Sequence, residues 1–427
     1  MNSGKNTAEH WRLTRLPKYS SKGVVRTVQP RETIRRARTV MKVAGITRIA
    51  EVTNLDRVGI PSFMTVRPRD LDPGISDYYN GKGTTRDDAE AGALMEAIER
   101  HAGEFCDYDV VVGSYGELQD RYECVRPDQI IVPTVHELSD DLTIEWVCGY
   151  DLLSARETFV PLNAVVCPYT PEHVPILFYA STNGLASGNT RVEALCHAIC
   201  EVIERDAQAI SAARAHISPV VRSLVGMEAE TTNANNPNRR VLLEGLPKRA
   251  QMLVARLKRA GLVVYLRNLT STAGIATIDC TIVERKHDGS GDAYSGCGAH
   301  PDARVALLRA ITEAEQSRIT CIQSRREDLP KVRHKTSREI DELFSAGDPI
   351  SFQELPTFEH KYIDQDVQLL LDRLPQYGLH QLVVFDMTRP EVGIPVVRVV
   401  VPRAETWTVF HLLTGRGTFG PRIAQEL

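Results

Sequence analysis

Carboxylate side chains recur at helical spacing in three segments of the chain. Each segment places two acidic or amide side chains three residues apart, with an arginine one or two residues further on. This spacing puts both groups on one face of a helix. Side chains of these types can hold a divalent cation and a phosphate group. The three sets are Glu96, Glu99 and Arg100; Glu201, Glu204 and Arg205; and Glu313, Gln316 and Arg318.

The second segment is the most informative, because its polar stripe lies on an otherwise apolar helix. Glu193, His197, Glu201 and Glu204 follow one another at intervals of four, four and three residues, and most other positions of 191–215 are apolar. A helix that is apolar nearly all round is buried, and buried carboxylates are costly unless they are paired or bound to a cation. His197 is explained equally well as a hydrogen-bonding core residue and as a neighbour of the bound ligand.

A glycine-rich loop precedes each of the three helices, with the sequences NGKGTT, STNGLASGNT and SGCGAHPD. Gly92 and Gly103 share the stripe of Glu96 and Glu99 and would let a ligand or a neighbouring backbone come close. Arg309 extends the third stripe.

If the stripes converge, as many as five carboxylates face one cavity, which like-charge repulsion forbids unless divalent cations neutralise them. Magnesium is the expected ion, since it shares carboxylate oxygens with substrate phosphates. Arginines and loop amides would then hold the phosphates.

Other interpretations of these patterns carry less weight. A single E-x-x-E-R string is usually an exposed salt bridge, but two near copies and a third variant behind glycine loops favour function. NGKGTT lacks the glycine spacing of a Walker A motif. GRGTFG, at 415–420, has only seven residues after it and cannot open a βαβ unit. Cys297 could act as a nucleophile, but the sequence identifies no base for it.

Composition excludes several broad classes of protein. The chain has 427 residues, of which 42% are hydrophobic and 25% charged, and its formal net charge is -4. This charge does not favour non-specific binding to nucleic acid or to an anionic membrane. No apolar run approaches the length of a membrane span, and the N-terminus has no signal-peptide core. Nine scattered cysteines without C-x-x-C spacing indicate a reduced, cytoplasmic protein, with Cys196 and Cys200 in the core.

Helical and strand-like segments are mixed along the chain without strict alternation, which predicts an α+β or mixed α/β architecture. Residues 1–25 are expected to be irregular. Residues 26–427 are expected to form a single catalytic domain.

Five segments taken together resemble the YcaO family. They are ITRIAEVTNLDRVGIPSFMTVRP, NGKGTT followed by LMEAIER, STNGLASGNTRVEALCHAICEVIERDA, GCGAHPDARVALLRAITEAEQSR and IPVVRVVVP. The resemblance extends from about residue 25 to residue 405 and is specific as an ordered set, although each motif is weak alone. It implies a fold with mixed sheets and three helices that line a nucleotide site, in which glutamates hold Mg²⁺ against the phosphates of ATP.

The resemblance also implies roles for individual residues. An N-terminal phosphate contact would come from Lys22, Arg26 or Arg31, with Arg26 preferred, and Ser181 and Asn183 would lie near the nucleotide. The metal set is Glu96, Glu99, Glu193, Glu201, Glu204 and Glu313. The remaining nucleotide contacts are Arg100, Asn189, Arg205, Gln316 and Arg318, and the catalytic set is Glu96, Glu204, Arg205 and Gln316.

Members of this family attack a peptide amide with a nucleophile and phosphorylate the amide oxygen. A Cys, Ser or Thr of the substrate gives an azoline ring, and external sulfide gives a thioamide. Azoline-forming members often have a proline-rich tail and a leader-binding domain. This chain ends in TFGPRIAQEL, with one proline, and is expected to act without such a domain, so it resembles the stand-alone, TfuA-associated branch. Thioamidation of a ribosomal peptide, or thioglycine formation in methyl-coenzyme M reductase, is therefore the leading hypothesis, and cyclodehydration is the alternative.

Expected partners are a peptide or protein substrate, a sulfide or other sulfur donor, a TfuA-like protein and a second copy in a homodimer. Two other classes of protein stay open. An ATP-dependent ligase or kinase acting on a small molecule would keep the same stripes. A nucleotide-binding accessory protein would bind ATP without modifying an amide. The intact set of glutamates and arginines disfavours this class, since a purely scaffolding chain has no need to keep buried carboxylates in place.

Overall fold

The computed structural model describes residues 6–21, 24–68, 78–104, 108–130, 139–178, 180–216, 238–323, 335–336, 348–406 and 422. The chain divides into two compact units. The first comprises Met1–Pro17, Ile98–Ala213 and Lys361–Leu427, and the second comprises Lys18–Ala97 and Arg214–His360. The division falls inside a helix. A single domain over 26–427 therefore stays a prediction.

Helices and strands are mixed, which confirms the α+β prediction. In chain order, strands β1 to β15 are Tyr19–Ser21, Val24–Arg26, Arg48–Glu51, Ser62–Val66, Tyr78–Lys82, Val110–Gly113, Ile144–Asp151, Arg156–Pro161, Leu185–Ser187, Leu262–Asn268, Thr277–Arg285, Ser290–Ala299, Lys335–Thr336, Val383–Asp386 and Val396–Val400. Helices α1 to α7 are Pro30–Val40, Arg86–Gly103, Tyr115–Leu118, Arg191–His216, Lys248–Arg259, Ala303–Ile322 and Ile363–Gln376. The segment expected to be irregular contains β1 and the start of the hairpin that β1 makes with β2.

The first unit contains a six-stranded antiparallel sheet with the order β6-β7-β14-β15-β9, and β8 pairs with β7. The two central strands β14 and β15 are buried along their whole length, as expected for near-continuous apolar runs. The short strand β9 joins the sheet through Leu185–Ser187, which pair with Val396–Arg398 of β15. Helix α4 begins four residues after β9 and carries the second carboxylate stripe.

The second unit contains two larger antiparallel sheets, β3-β4-β5 and β10-β11-β12-β13. Helix α5 buries Ala250, Leu253, Val254 and Leu257, whose spacing forms one apolar face. This face belongs to the same apolar core as α6 and strands β10 and β11. The core therefore fixes α6, the helix with the third carboxylate stripe.

Glycines let strands approach these helices closely in the second unit. A Cβ on Gly296 of β12 would overlap the backbone nitrogen of Ala314 in α6, and one on Gly81 of β5 would overlap the backbone nitrogen of Ala93 in α2. Backbone atoms cannot move aside as a flexible side chain can. The glycine loops noted in the sequence thus include strand positions at which helix and sheet backbones touch.

None of the helices in the described ranges is both long enough and apolar enough to cross a membrane.

We expect Gly296→Ala to lower the free energy of unfolding by about 2 kcal/mol or more, because the added methyl group meets backbone. Urea denaturation measures this change. The matched control is Gly289→Ala, in a turn with φ +81° and open space around the new Cβ, where the cost is about 1 kcal/mol. Equal losses in the two variants would show that β12 and α6 are not in this close contact.

Candidate active site

Helix α4 buries two of the predicted carboxylates of the first unit. Glu193 is 0% exposed and Glu204 is 1% exposed, which agrees with the apolar surroundings read from the sequence. Asn189, in the loop before the helix, donates from Nδ2 to Glu193 Oε1 at 2.8 Å. The hydroxyl of Thr190 accepts a hydrogen bond from the Glu193 amide and caps the first turn. Asn189 and Glu193, two predicted nucleotide residues, therefore lie together.

The last turns of α2 bring Glu99 to the same loop. Glu99 Oε2 accepts hydrogen bonds from the amide of Ser187 at 2.9 Å and from its hydroxyl at 3.3 Å. Gly103 allows this approach, since a Cβ there would overlap the side chain of Leu185. Carboxylates from the first and second stripes are thus fixed by Ser187 at the end of β9 and by Asn189 just after it. Sequence reasoning missed Ser187, although it lies within the quoted loop.

The C-terminal half of the α4 stripe is also held by charged groups. Arg205 lies 3.4 Å from Glu204 and donates to Gln208 at 2.9 Å. The neighbouring Asp206 is buried and bonds Arg422 at 2.7 Å. Glu201 is half-buried. This half of α4 therefore combines two predicted metal ligands with a cation that can meet a phosphate.

Arg398 of β15 is a buried cation that the sequence analysis did not single out. It donates to the carbonyl of Ala164 at 3.0 and 2.7 Å. Burial lowers the pKa of Arg398 to about 10, while the charges of Glu201 and Glu99 act in the opposite direction. A guanidinium with that pKa stays protonated at neutral pH. Its position in the IPVVRVVVP motif was the available signal, because an arginine interrupts an apolar strand.

In the second unit, the third stripe is bonded to strand β5. Glu313 forms an ion pair with Lys82, and Gln316 Nε2 donates to the carbonyl of Asn80 at 2.7 Å. Asn80 in turn donates to Thr320 at 3.0 Å. Lys82 lies in NGKGTT, which lacks the spacing of a Walker A motif, so the motif did not identify this lysine as a functional residue. The structure makes it a cation beside a predicted metal ligand.

Arg318, a predicted nucleotide contact, belongs to an ion-pair network. It bonds Asp56 and Glu284, each at 2.7 Å, and its side chain is only 4% exposed. Arg57 also pairs with Glu284. All three guanidinium nitrogens of Arg318 take part in these bonds. The network gives Arg318 a structural role, and its contact with a nucleotide stays a prediction.

Glu315 lies on the same helix and is fully buried. Burial raises the pKa of Glu315 to about 8, the negative charge of Asp56 adds to the rise, and Arg318 opposes it. The carboxyl group is therefore largely protonated at neutral pH. Glu315 lies in the string TEAEQSR but not on the polar stripe of the helix, so helical periodicity did not identify it as a candidate residue.

The remaining predicted residues are placed as follows. Arg26 is buried in β2 of the second unit. Glu96 and Arg100 are half-buried on α2, and Ser181 and Asn183 are half-buried before β9. Arg31 is exposed and pairs with Asp87 at 2.8 Å, whereas Lys22 lies outside the described residues.

The predicted ligands are divided between the units. Glu99, Arg100, Ser181, Asn183, Asn189, Glu193, Glu201, Glu204 and Arg205 belong to the first, and Arg26, Glu96, Glu313, Gln316 and Arg318 belong to the second. Convergence of the three stripes stays a prediction. Within the first unit the donor set consists of carboxylate oxygens and one amide, with cations nearby. These are the oxygen donors that Mg²⁺ prefers, so the residues present fit a magnesium ion that carries phosphates.

Comparison with known proteins agrees with this donor chemistry. A family model described as a YcaO cyclodehydratase that binds ATP and Mg²⁺ matches residues 80–405. The chain belongs to the YcaO family, as its motifs predicted, and the family description confirms ATP and Mg²⁺ as the cofactors.

Two relatives align over nearly the whole chain. An uncharacterised protein of Methanothermobacter thermautotrophicus is 35% identical over 398 residues, which cover 91% of this chain and 97% of the relative. An uncharacterised protein encoded in the tfuA 3′ region of Rhizobium leguminosarum bv. trifolii is 31% identical over 405 residues, which cover 91% of each protein.

A solved structure has the same fold. The structure of YcaO from Methanopyrus kandleri, bound with AMPPCP and Mg²⁺, superposes with a TM-score of 0.70 and 24% sequence identity. The alignment covers 94% of this chain and 97% of that one.

Glu315→Gln should alter the pH dependence of stability. The folded-state pKa of about 8 lies above the ordinary value of 4.5, so the folded protein holds a proton that the unfolded chain has released. Wild-type stability should therefore fall as pH rises from about 4.5 to about 8. Glutamine keeps the neutral form at every pH. The melting temperature of the variant relative to wild type should rise across this window, and a constant difference from pH 5 to pH 8.5 would contradict the assignment.

Proposed function

We propose that this protein uses ATP to convert a backbone amide of a peptide or protein into a thioamide, with an external sulfur donor. One observation carries the proposal: α4 keeps Glu193 and Glu204 almost fully buried on a helix of a YcaO-family chain. Buried carboxylates are costly unless they are paired or bound to a cation, and their place in a family that binds ATP and Mg²⁺ supports a role in holding the metal. The relative encoded beside tfuA supports the choice of the thioamide-forming branch.

In this proposal the glutamates of the three helices are the ligands of Mg²⁺, and arginines and loop amides hold the phosphates of ATP. Magnesium, when bound, neutralises the charge of the phosphates as the phosphoryl group is transferred. Asn189 fixes the rotamer of Glu193, and the Ser187 amide and hydroxyl fix Glu99. Glu96, Glu204, Arg205 and Gln316 are the proposed catalytic set.

The proposed reaction exchanges oxygen for sulfur. Hydrosulfide attacks the amide carbon, and the amide oxygen takes the terminal phosphoryl group of ATP, which leaves ADP. The C–O bond then breaks, phosphate departs with the former amide oxygen, and the sulfur loses its proton to solvent. Peptide, ATP and hydrosulfide thus become thioamide, ADP and phosphate. The protein contributes position and charge, as in other phosphoryl transfers.

Cyclodehydration is the second candidate, because the family model is named for it. In that reaction a Cys, Ser or Thr side chain of the substrate is the nucleophile, and phosphate again carries away the amide oxygen. The net change is loss of one water from the peptide. Both reactions use the same nucleotide chemistry, and they differ only in the source of the nucleophile.

We also propose that a TfuA-like protein delivers sulfur, that the chain works as a homodimer in the cytoplasm, and that residues 26–427 act as one catalytic domain. A ribosomal peptide or a methyl-coenzyme M reductase-type protein is the proposed substrate class. An accessory protein that only binds nucleotide would keep the carboxylate set and would leave the peptide unchanged.

Mass spectrometry of a reacted peptide tests the function. We expect a peptide incubated with the protein, Mg²⁺-ATP, sulfide and a co-expressed TfuA-like partner to gain the mass difference of sulfur over oxygen. Glu201→Gln should abolish the product, since it removes a charge from the proposed metal set, whereas Glu157→Gln, at an exposed position of β8, should retain it. Loss of water without sulfide would favour the cyclodehydratase, and an unchanged peptide in every reaction would contradict both.

A further inference from the structure

The N-terminal strap, residues 6–17, is fixed to the first unit at both ends. Asn6 Nδ2 donates to the carbonyl of Cys148 at 2.9 Å, and His10 Nε2 lies 2.8 Å from Asp386 Oδ2. At the other end, the amide of Ile363 donates to the carbonyl of Leu16 at 3.0 Å. The stretch between these anchors therefore has a defined position over the start of α4.

A cavity of about 310 Å³ opens between the strap and α4. Its wall is mostly apolar, with Trp11, Leu13 and Leu16 from the strap and Val192 and Leu195 from the helix. Trp11 and Leu195 are almost completely buried. A cavity of this size and lining suits a branched apolar side chain, and it is at the lower end of the range for small-ligand sites.

The charged side chains that line the cavity are both arginines, Arg12 and Arg191. Arg191 is already engaged, because it donates to the carbonyl of His10 and lies 3.4 Å from Asp386. Arg12 is exposed, and its guanidinium forms no ion pair within the described ranges. The N-terminal end of α4 adds positive potential to the same wall. The cavity is thus complementary to an apolar group with a negative charge beside it.

The strap also offers backbone hydrogen-bond donors. Residues 12–16 have no regular secondary structure, and among the described residues the amides of Leu13 and Thr14 have no acceptor. Exposed backbone donors next to side-chain pockets are typical of sites that bind an extended peptide. A free fatty acid or a small carboxylate would leave these donors unused.

We propose that this cavity docks an acidic, leucine-containing segment of the peptide substrate, with an apolar side chain in the cavity and a carboxylate at Arg12. The identity of the occupant as substrate rests on the proposed function. The next residue after Val192 is Glu193, a proposed metal ligand, so a docked segment lies at the start of the helix that carries the nucleotide ligands. The substrate would then be held at a point other than the reacting amide.

Fluorescence anisotropy with a labelled peptide of alternating glutamate and leucine tests the site without turnover. We expect wild type to bind this peptide and Arg12→Glu to bind it at least about tenfold more weakly, because the charge at the rim is reversed. The matched control is Arg121→Glu, an exposed arginine of the same unit whose side chain makes no ion pair in the described part of the chain. It should bind like wild type. A peptide of lysine and leucine should bind wild type and Arg121→Glu only weakly.

Leu13→Asn tests the contribution of the apolar cavity wall to peptide binding, and it should also weaken that binding. Thermal unfolding confirms that each variant is folded. Mg²⁺-ATP affinity is measured on the same samples and should not change in Arg12→Glu. Equal peptide affinity in Arg12→Glu and Arg121→Glu, or no binding to wild type, would overturn the docking site. Peptide binding that follows Arg12 in a protein that binds no ATP would support the docking site while contradicting the proposed function.

Discussion

The burial of two carboxyl groups on α4 is the constraint on which the proposed site of this protein depends. Glu193 and Glu204 are removed from water on a helix whose other faces are apolar. The hydrogen bond from Asn189 and the neighbouring Arg205 offset part of this cost. In the proposed site a divalent cation that carries phosphates would offset more of it.

The packing around α2 and α6 fixes the positions of their carboxylate stripes. Gly296 and Gly81 let strands of the second unit touch α6 and α2 directly, so the stripes are placed by backbone contact. Elsewhere, the core of α5, α6 and the four-stranded sheet fixes α6, and the Arg318 network ties it to Asp56 and Glu284. Side chains held by backbone and buried ion pairs lose little further entropy when a ligand binds, which is the benefit of preorganisation.

Much of this arrangement could be predicted from sequence, because helix periodicity and glycine loops are local signals. The sequence placed the second helix at 191–215, and the structure has Arg191–His216. The burial of α4 followed from its composition. Lys82 and Arg398 were not predicted, because each contacts a residue that is distant in sequence. Lys82 pairs with Glu313, and Arg398 donates to the carbonyl of Ala164. No local pattern reports such a partner.

The ion pairs of Arg318 could not be predicted from the sequence, and its contact with a nucleotide stays a prediction. It follows the third stripe two residues after Gln316, and the fold places it between Asp56 and Glu284, which only tertiary structure could show. The division of the predicted ligands between two units likewise cannot be read from stripes alone, since periodicity gives a face of a helix and not the neighbour of that face.

Titration calorimetry with ATP distinguishes a metal site from structural carboxylates, with wild type, Glu204→Gln and the exposed control Glu157→Gln compared in the presence and absence of Mg²⁺. Wild type and the control should bind ATP only with Mg²⁺, and Glu204→Gln should remain folded but lose the magnesium-dependent binding. Unchanged affinity in Glu204→Gln, or binding by wild type that ignores Mg²⁺, would contradict the claim that the buried carboxylates hold the metal.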